Sequence, residues 1–187
     1  MRHRTSLAVF AVALSVWLAA LHVFFRPDKP ALGAALAKGQ LTADHAQLRR
    51  YNPEWELMGR LFTALSFANL SFHDPAYLEP LVRIANETDA LERQHGVTYF
   101  LLPYGAGATR SLFVDGEIAL MLAARQLRAG GDPTGLQHRV ERIERQLEAS
   151  PILLPESYPD EGWVFCNTVA VAALRASDAA LKTDHSA

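Results

Sequence analysis

The strongest constraint in this chain is an alternation between two kinds of helical stretch. Asn52 to Phe72, Leu112 to Arg128 and Trp163 to Arg175 are apolar almost all round, and a one-sided stretch lies in each gap between them. A helix apolar on every side needs neighbours on every side, whereas a single apolar stripe covers something and leaves the rest to water. The order therefore predicts inner helices wrapped by outer ones.

The first inner stretch carries Met58, Leu61, Phe62, Leu65 and Phe72 on one face, with Trp55, Leu57, Ala64, Phe67 and Ala68 extending the apolar surface. From Pro75 to Gln94, Leu78, Leu81, Val82, Ala85 and Leu91 form one stripe, with Glu79, Arg83, Asn86, Glu87, Glu92 and Arg93 on the rest. The second inner helix stops before Gly130, Gly131 and Pro133, a C-terminal signal. Leu136, Val140, Ile143 and Leu147 then mark a narrow outer helix rich in Arg and Glu. Pro151, Pro155 and Pro159 enforce a long turn before the third inner helix. No stretch alternates with period two for long enough to argue a sheet. The expected fold is all-α: an N-terminal membrane helix followed by a partial (half) α/α toroid.

Residues Ser6 to Phe25 are uncharged, follow Arg2 and Arg4, and precede Arg26, Asp28 and Lys29. The run is long enough to span a bilayer. A cleaved signal peptide is the rival, but the nearest small-x-small site, Ala35-Leu36-Ala37, lies far beyond the apolar run. The expected organisation is a cytoplasmic tail and membrane anchor over 1–25, a linker over 26–40 rich in Pro, Ala and Gly, and a helical domain over 41–187. That domain is placed on the periplasmic or extracytoplasmic side. A net charge of −2 gives no reason to expect a nucleic acid partner. The single cysteine, Cys166, leaves the redox compartment open.

If outer helices run back between inner ones, the inner helices are parallel and their amino-terminal ends share one rim. The polar residues stand at those ends: Glu54 and Glu56 in the first, Asp115 and Glu117 in the second, Asp160 and Glu161 before the third. Acidic residues favour helix amino termini as caps and dipole partners, so each alone has a structural explanation. Asp115 and Glu117, however, sit inside an apolar run, where desolvation raises a carboxyl's proton affinity towards that of a general acid. Glu117 and Met121 share a face, as do Asp160 and Asn167. Cys166 follows Gly162 by one turn beside Asn167; inert packing is the ordinary reading of a buried thiol, and a site role the rival. His73 and His95 read as cap or surface groups. No His or Cys spacing supports a metal site. Tyr104-Gly105-Ala106-Gly107-Ala108 reads as a flexible rim loop over a substrate.

The run Glu156-Ser157-Tyr158-Pro159-Asp160-Glu161-Gly162-Trp163-Val164-Phe165-Cys166-Asn167, with Phe113-Val114-Asp115-Gly116-Glu117, is similar to proteins carrying a linalool dehydratase/isomerase-like domain. The resemblance covers about Tyr51 to the end. It implies an (α/α)6 barrel and cofactor-independent acid/base dehydration or isomerisation of a small terpene alcohol, with no cofactor and no metal. Asp115, Glu117, Asp160, Glu161 and Cys166 then stand as the catalytic set, and Tyr104, Met121, Tyr158, Trp163 and Asn167 as the substrate lining. Six helical hairpins need on the order of 300 residues. The chain carries about three, so the expectation is a truncated, inactive product, or a half-ring that closes by homo-oligomer pairing. The expected partners are the lipid bilayer, through residues 6–25, and a small apolar or carbohydrate-like substrate. Two further readings stay open: a carbohydrate-active barrel enzyme using two carboxylates, and a membrane-anchored binding protein without catalysis.

Overall fold

The computed structural model describes residues 2–25, 29–41 and 43–185. They fall into two compact units, Met1–Leu36 and Ala37–Ala187. The first holds α1, Arg2–Phe25. Its large apolar side chains from Leu7 to Phe24, Trp17 among them, are exposed apart from the half-buried Leu21. Two helical segments, Ser6–Phe24 and Val164–Leu181, are long and apolar enough to cross a membrane. Within the stretch expected as a linker, Lys29–Leu41 forms a helix, α2. Its alanines and leucines favour helix, and Pro30 falls in the first turn, where a missing N–H costs nothing.

In the second unit, α3 (His45–Tyr51) starts at Asp44, whose side chain accepts from Ala46 N. Helix α4 (Pro53–Leu70) starts where Asn52 Oδ1 accepts from Glu54 N at 2.7 Å and Pro53 presets the first turn. A short turn at Pro75–Tyr77 leads into α5 (Leu78–His95), which ends at Gly96 with φ of 82°. Helix α6 (Leu112–Ala129) is capped by Ser111, whose Oγ accepts from Val114 N. After Gly130 and Gly131, both at positive φ, come α7 (Thr134–Ala149) and α8 (Val164–Leu181). Among the described residues there are no strands, only an isolated bridge between Tyr158 and Glu161.

Helix α6 is central, with twelve of its eighteen residues buried. It packs against α4, α5, α7 and, most extensively, α8. Helices α4, α6 and α8 run parallel. At their amino-terminal end Leu112 N donates to Glu156 O at 3.0 Å, Ser111 Oγ donates to Ser157 O at 2.6 Å, and the Phe113 ring stacks on Tyr158. At the other end Arg128 of α6 donates to Ser71 Oγ and lies over the Phe72 ring, both just beyond α4. Gly116 admits α8: an added Cβ there would stand 3.3 Å from the Ala170 backbone. Helices α5 and α7 run the opposite way, with Asn86 level with Arg125 and Gly135 beside Leu122.

Three sequence expectations are corrected here. Only α6 is covered nearly all round. On α4, Trp55 and Phe62 are exposed, as is Phe72 just beyond it, and on α8 so are Val164, Phe165 and Val171. The third inner helix also runs on to Leu181. And Arg139, read as part of an outer, solvated face, is 0% exposed. Its guanidinium bonds Asp89 at 2.9 Å, Glu92 at 2.5 Å and Asp115 at 2.8 Å, while Arg142 reaches Glu92 and Asp115 at 3.2 and 3.1 Å. This network pins α5 and α7 to the back of α6. Its desolvation is offset only because every charge finds an opposite one, so it fixes register more than it adds stability.

Candidate functional site

The chemistry-bearing groups gather at the shared amino-terminal end of α4, α6 and α8. Tyr158, buried in the loop before α8, is the hub. Its ring lies 5.4 Å from that of Tyr104, 5.9 Å from Phe113 and 6.5 Å from Trp163. Burial, followed by the Glu54 carboxylate beside it, holds its phenol well above the usual tyrosine range. Tyr104, on the short turn Pro103–Gly105, is exposed; desolvation and then Glu54 and Glu161 raise its phenol too.

Ser157 is the buried fastener of this loop. Its N donates to Glu161 O at 2.7 Å, its carbonyl accepts from Ser111, and its Oγ accepts from Trp163 N at 3.2 Å. Sequence reading missed it, and a lone serine before an aromatic residue carries no signal of such a role. Cys166, in the first turn of α8, is buried; burial pushes its thiol up, with Ser157 opposing and Glu117 adding to the shift.

Glu117 is the most unusual group. It is 0% exposed, and neither carboxylate oxygen has a hydrogen-bond partner. Burial alone pushes its carboxyl up to about 7. Met121, one helical turn on, is fully buried. Asn167 donates to Trp163 O at 2.9 Å and Pro155 O at 3.4 Å, tying the start of α8 to the loop, while its Oδ1 is unpartnered.

The predicted site residues thus divide. Glu117, Cys166, Tyr158, Tyr104 and Trp163 come to one end of the helices, together with Glu54. Asp115 does not join them. Both its oxygens are taken by Arg139, Arg142 and Gln146 on the back of α6; burial raises its carboxyl and the two guanidiniums oppose that. Residues two apart on a helix are separated by about 200° around the axis, so Asp115 and Glu117 face opposite ways. Asp160 is exposed at the corner of the loop, with φ of 63°, and Glu161 is exposed and accepts from Trp163 Nε1 at 2.9 Å. Among the described residues no group of three or more His, Cys, Asp and Glu could hold a metal ion.

Compared with protein-family models, curated proteins and solved structures, the chain matches none.

Proposed function

We propose that the amino-terminal end of the α4, α6 and α8 layer is a cofactor-independent acid/base site for a small apolar alcohol, as in the linalool dehydratase/isomerase-like proteins the sequence resembles. The partial toroid of inner and outer helices belongs to the same reading, as does an anchor at residues 6–25 with the domain on the extracytoplasmic side. The observation that carries it is Glu117: a buried, unpartnered carboxyl pushed up to about 7, close enough to Cys166 to act on its thiol and one helical turn from Phe113, whose ring stacks on Tyr158. Such a group is about half protonated at neutral pH, and its acid form can give a proton to a leaving hydroxyl. Aromatic rings around Tyr158 suit an apolar body better than a sugar.

The roles narrow accordingly. Glu117 is the acid: it protonates the leaving hydroxyl as the C–O bond breaks and water departs, and its carboxylate then takes a proton from the neighbouring carbon as the double bond forms, which restores the acid. Cys166 and Tyr158 flank the reacting carbon skeleton, and Trp163 and Tyr104 line the approach. Asp115 holds α6 to α5 and α7. One observation favours a second reading, binding without catalysis: neither Glu117 oxygen has accessible surface, so a substrate reaches it only if the groups that cover it move.

The reading requires the half-ring to close by pairing with a second copy. The full chain, paired in lipid nanodiscs and given linalool or geraniol, is therefore expected to release alkene or isomerised alcohol detectable by headspace gas chromatography, and the unpaired chain is not. Glu117→Gln and Cys166→Ala each lower that rate by a factor of about a hundred, the scale of one acid/base contribution. Saturable binding of the alcohol without turnover would support the second reading. Turnover unchanged in both variants would overturn the assignment.

A further inference from the structure

A cavity of about 900 Å³ lies apart from Glu117 and Cys166, between the end of α5, the end of α7 and the loop that follows α7. One face of α7 lines it with His138, Arg142 and Arg145, spaced so that all three point the same way. Val97, Ile152 and Leu154 give it apolar lining. The two guanidiniums differ in what binds them. Arg142 is anchored, its Nη1 on Glu92 and its Nε on Asp115, and its side chain is 22% exposed. Arg145 has only a loose pair, 3.8 Å from Glu141, with both side chains about 60% exposed. A surface pair of that kind contributes almost nothing and yields to a better partner. At the far lip, Arg110 is already matched with Glu156 at 3.1 Å.

The geometry points to this cavity as a binding site for an organic anion with a short apolar body, such as a carboxylate or phosphate ester, its charged end on Arg145 and Arg142 and its tail against Val97, Ile152 and Leu154. The site is independent of the acid/base reading above. The carboxylates of Glu92 and Glu156 also line the cavity but are matched with Arg142 and Arg110, so a cation of the same shape meets the loosely paired Arg145 and is disfavoured; an uncharged alcohol forgoes the charge-assisted bonds that fix its orientation.

The full chain in phosphatidylcholine nanodiscs is titrated calorimetrically with octanoate, empty nanodiscs serving as the blank. Saturable binding is expected, with octanol and octyltrimethylammonium each at least about tenfold weaker, the equivalent of one charge-assisted bond. Arg145→Glu loses at least about tenfold in octanoate affinity, and Ile152→Ser loses severalfold. Both positions are exposed, so circular dichroism should match the parent chain. Repeating the titration in phosphatidylglycerol nanodiscs separates two sources of one chemistry: suppressed octanoate binding marks a lipid headgroup as the occupant, unchanged binding a soluble acid. No saturable binding above the blank, equal binding of octyltrimethylammonium, or no effect of Arg145→Glu would overturn the proposal.

Discussion

Replacing Glu117 by Gln keeps the shape of the side chain and removes its titration, which isolates the cost of ionising a buried, unpartnered carboxyl. In the folded chain that carboxyl is raised from 4.5 to about 7 by burial. The folded state therefore holds the proton more tightly than the unfolded state does. Its contribution to stability is fully present below about pH 4.5 and is lost as pH rises through about 7. A difference of about 2.5 pKa units corresponds to about 3 kcal/mol. Burying the amide of Gln also costs free energy, but that cost does not vary with pH. Urea denaturation of both proteins, followed by tryptophan fluorescence over about pH 4 to 8, gives the wild-type stability minus that of the variant. This difference should fall by about 3 kcal/mol across the window and then level off. Other titrating groups cancel in the subtraction. A difference constant to within about 0.5 kcal/mol over the whole range would show that Glu117 is hydrated or paired, and the acid reading would fall with it.

Arg139→Met should destabilise the unit by about 3–5 kcal/mol, because it strips Asp89, Glu92 and Asp115 of a shared counter-charge while they remain buried; urea midpoints test this, and a loss below about 1 kcal/mol would refute it. Gly116→Ala forces a methyl group to 3.3 Å from the Ala170 backbone and should cost about 1–3 kcal/mol by the same assay; an unchanged midpoint would mean that α8 can shift freely. Ser6–Phe24 should stay attached and hold the protein in membranes through an alkaline carbonate wash. Release into the wash, or a mature amino terminus near Lys38 by Edman sequencing, would rule out that anchor.

The helix boundaries were legible because the chain marks them chemically: Asn52-Pro53 and Ser111 at starts, Gly96 and Gly130 at ends. The exposure of α8 was not legible. A helix apolar on all sides reads the same whether or not neighbours cover every side, and Val164, Phe165 and Val171 face solvent here. Arg139 and Gln146 did leave a trace. They share the face of Leu136, Val140, Ile143 and Leu147, so polar groups inside an apolar stripe announced buried partners, and Asp89 and Glu92 on α5 have the matching charge. Part of the site followed from pattern, since parallel inner helices bring Glu54, Glu117 and Tyr158 to one end. Asp115 was grouped with them by proximity in sequence, where the angle between positions two apart separates them. Ser157 is fixed by contacts from Ser111 and Trp163, distant in sequence or across a turn, which no local pattern encodes.

The central position of α6 sets an order of events during synthesis. Helices α4 and α5 leave the ribosome first and can pair with each other, but the sides on which α6 docks lack their cover until residues past Ala129 have emerged. Until then the nascent chain shows an apolar surface of the kind that chaperones bind and that invites aggregation. Docking α6 covers much of it at once, and α8 arrives last on a wall already built. A mutation that delays α6, such as a helix breaker near Leu120, should therefore lower the yield of soluble or membrane-inserted protein more than its effect on the finished fold would suggest.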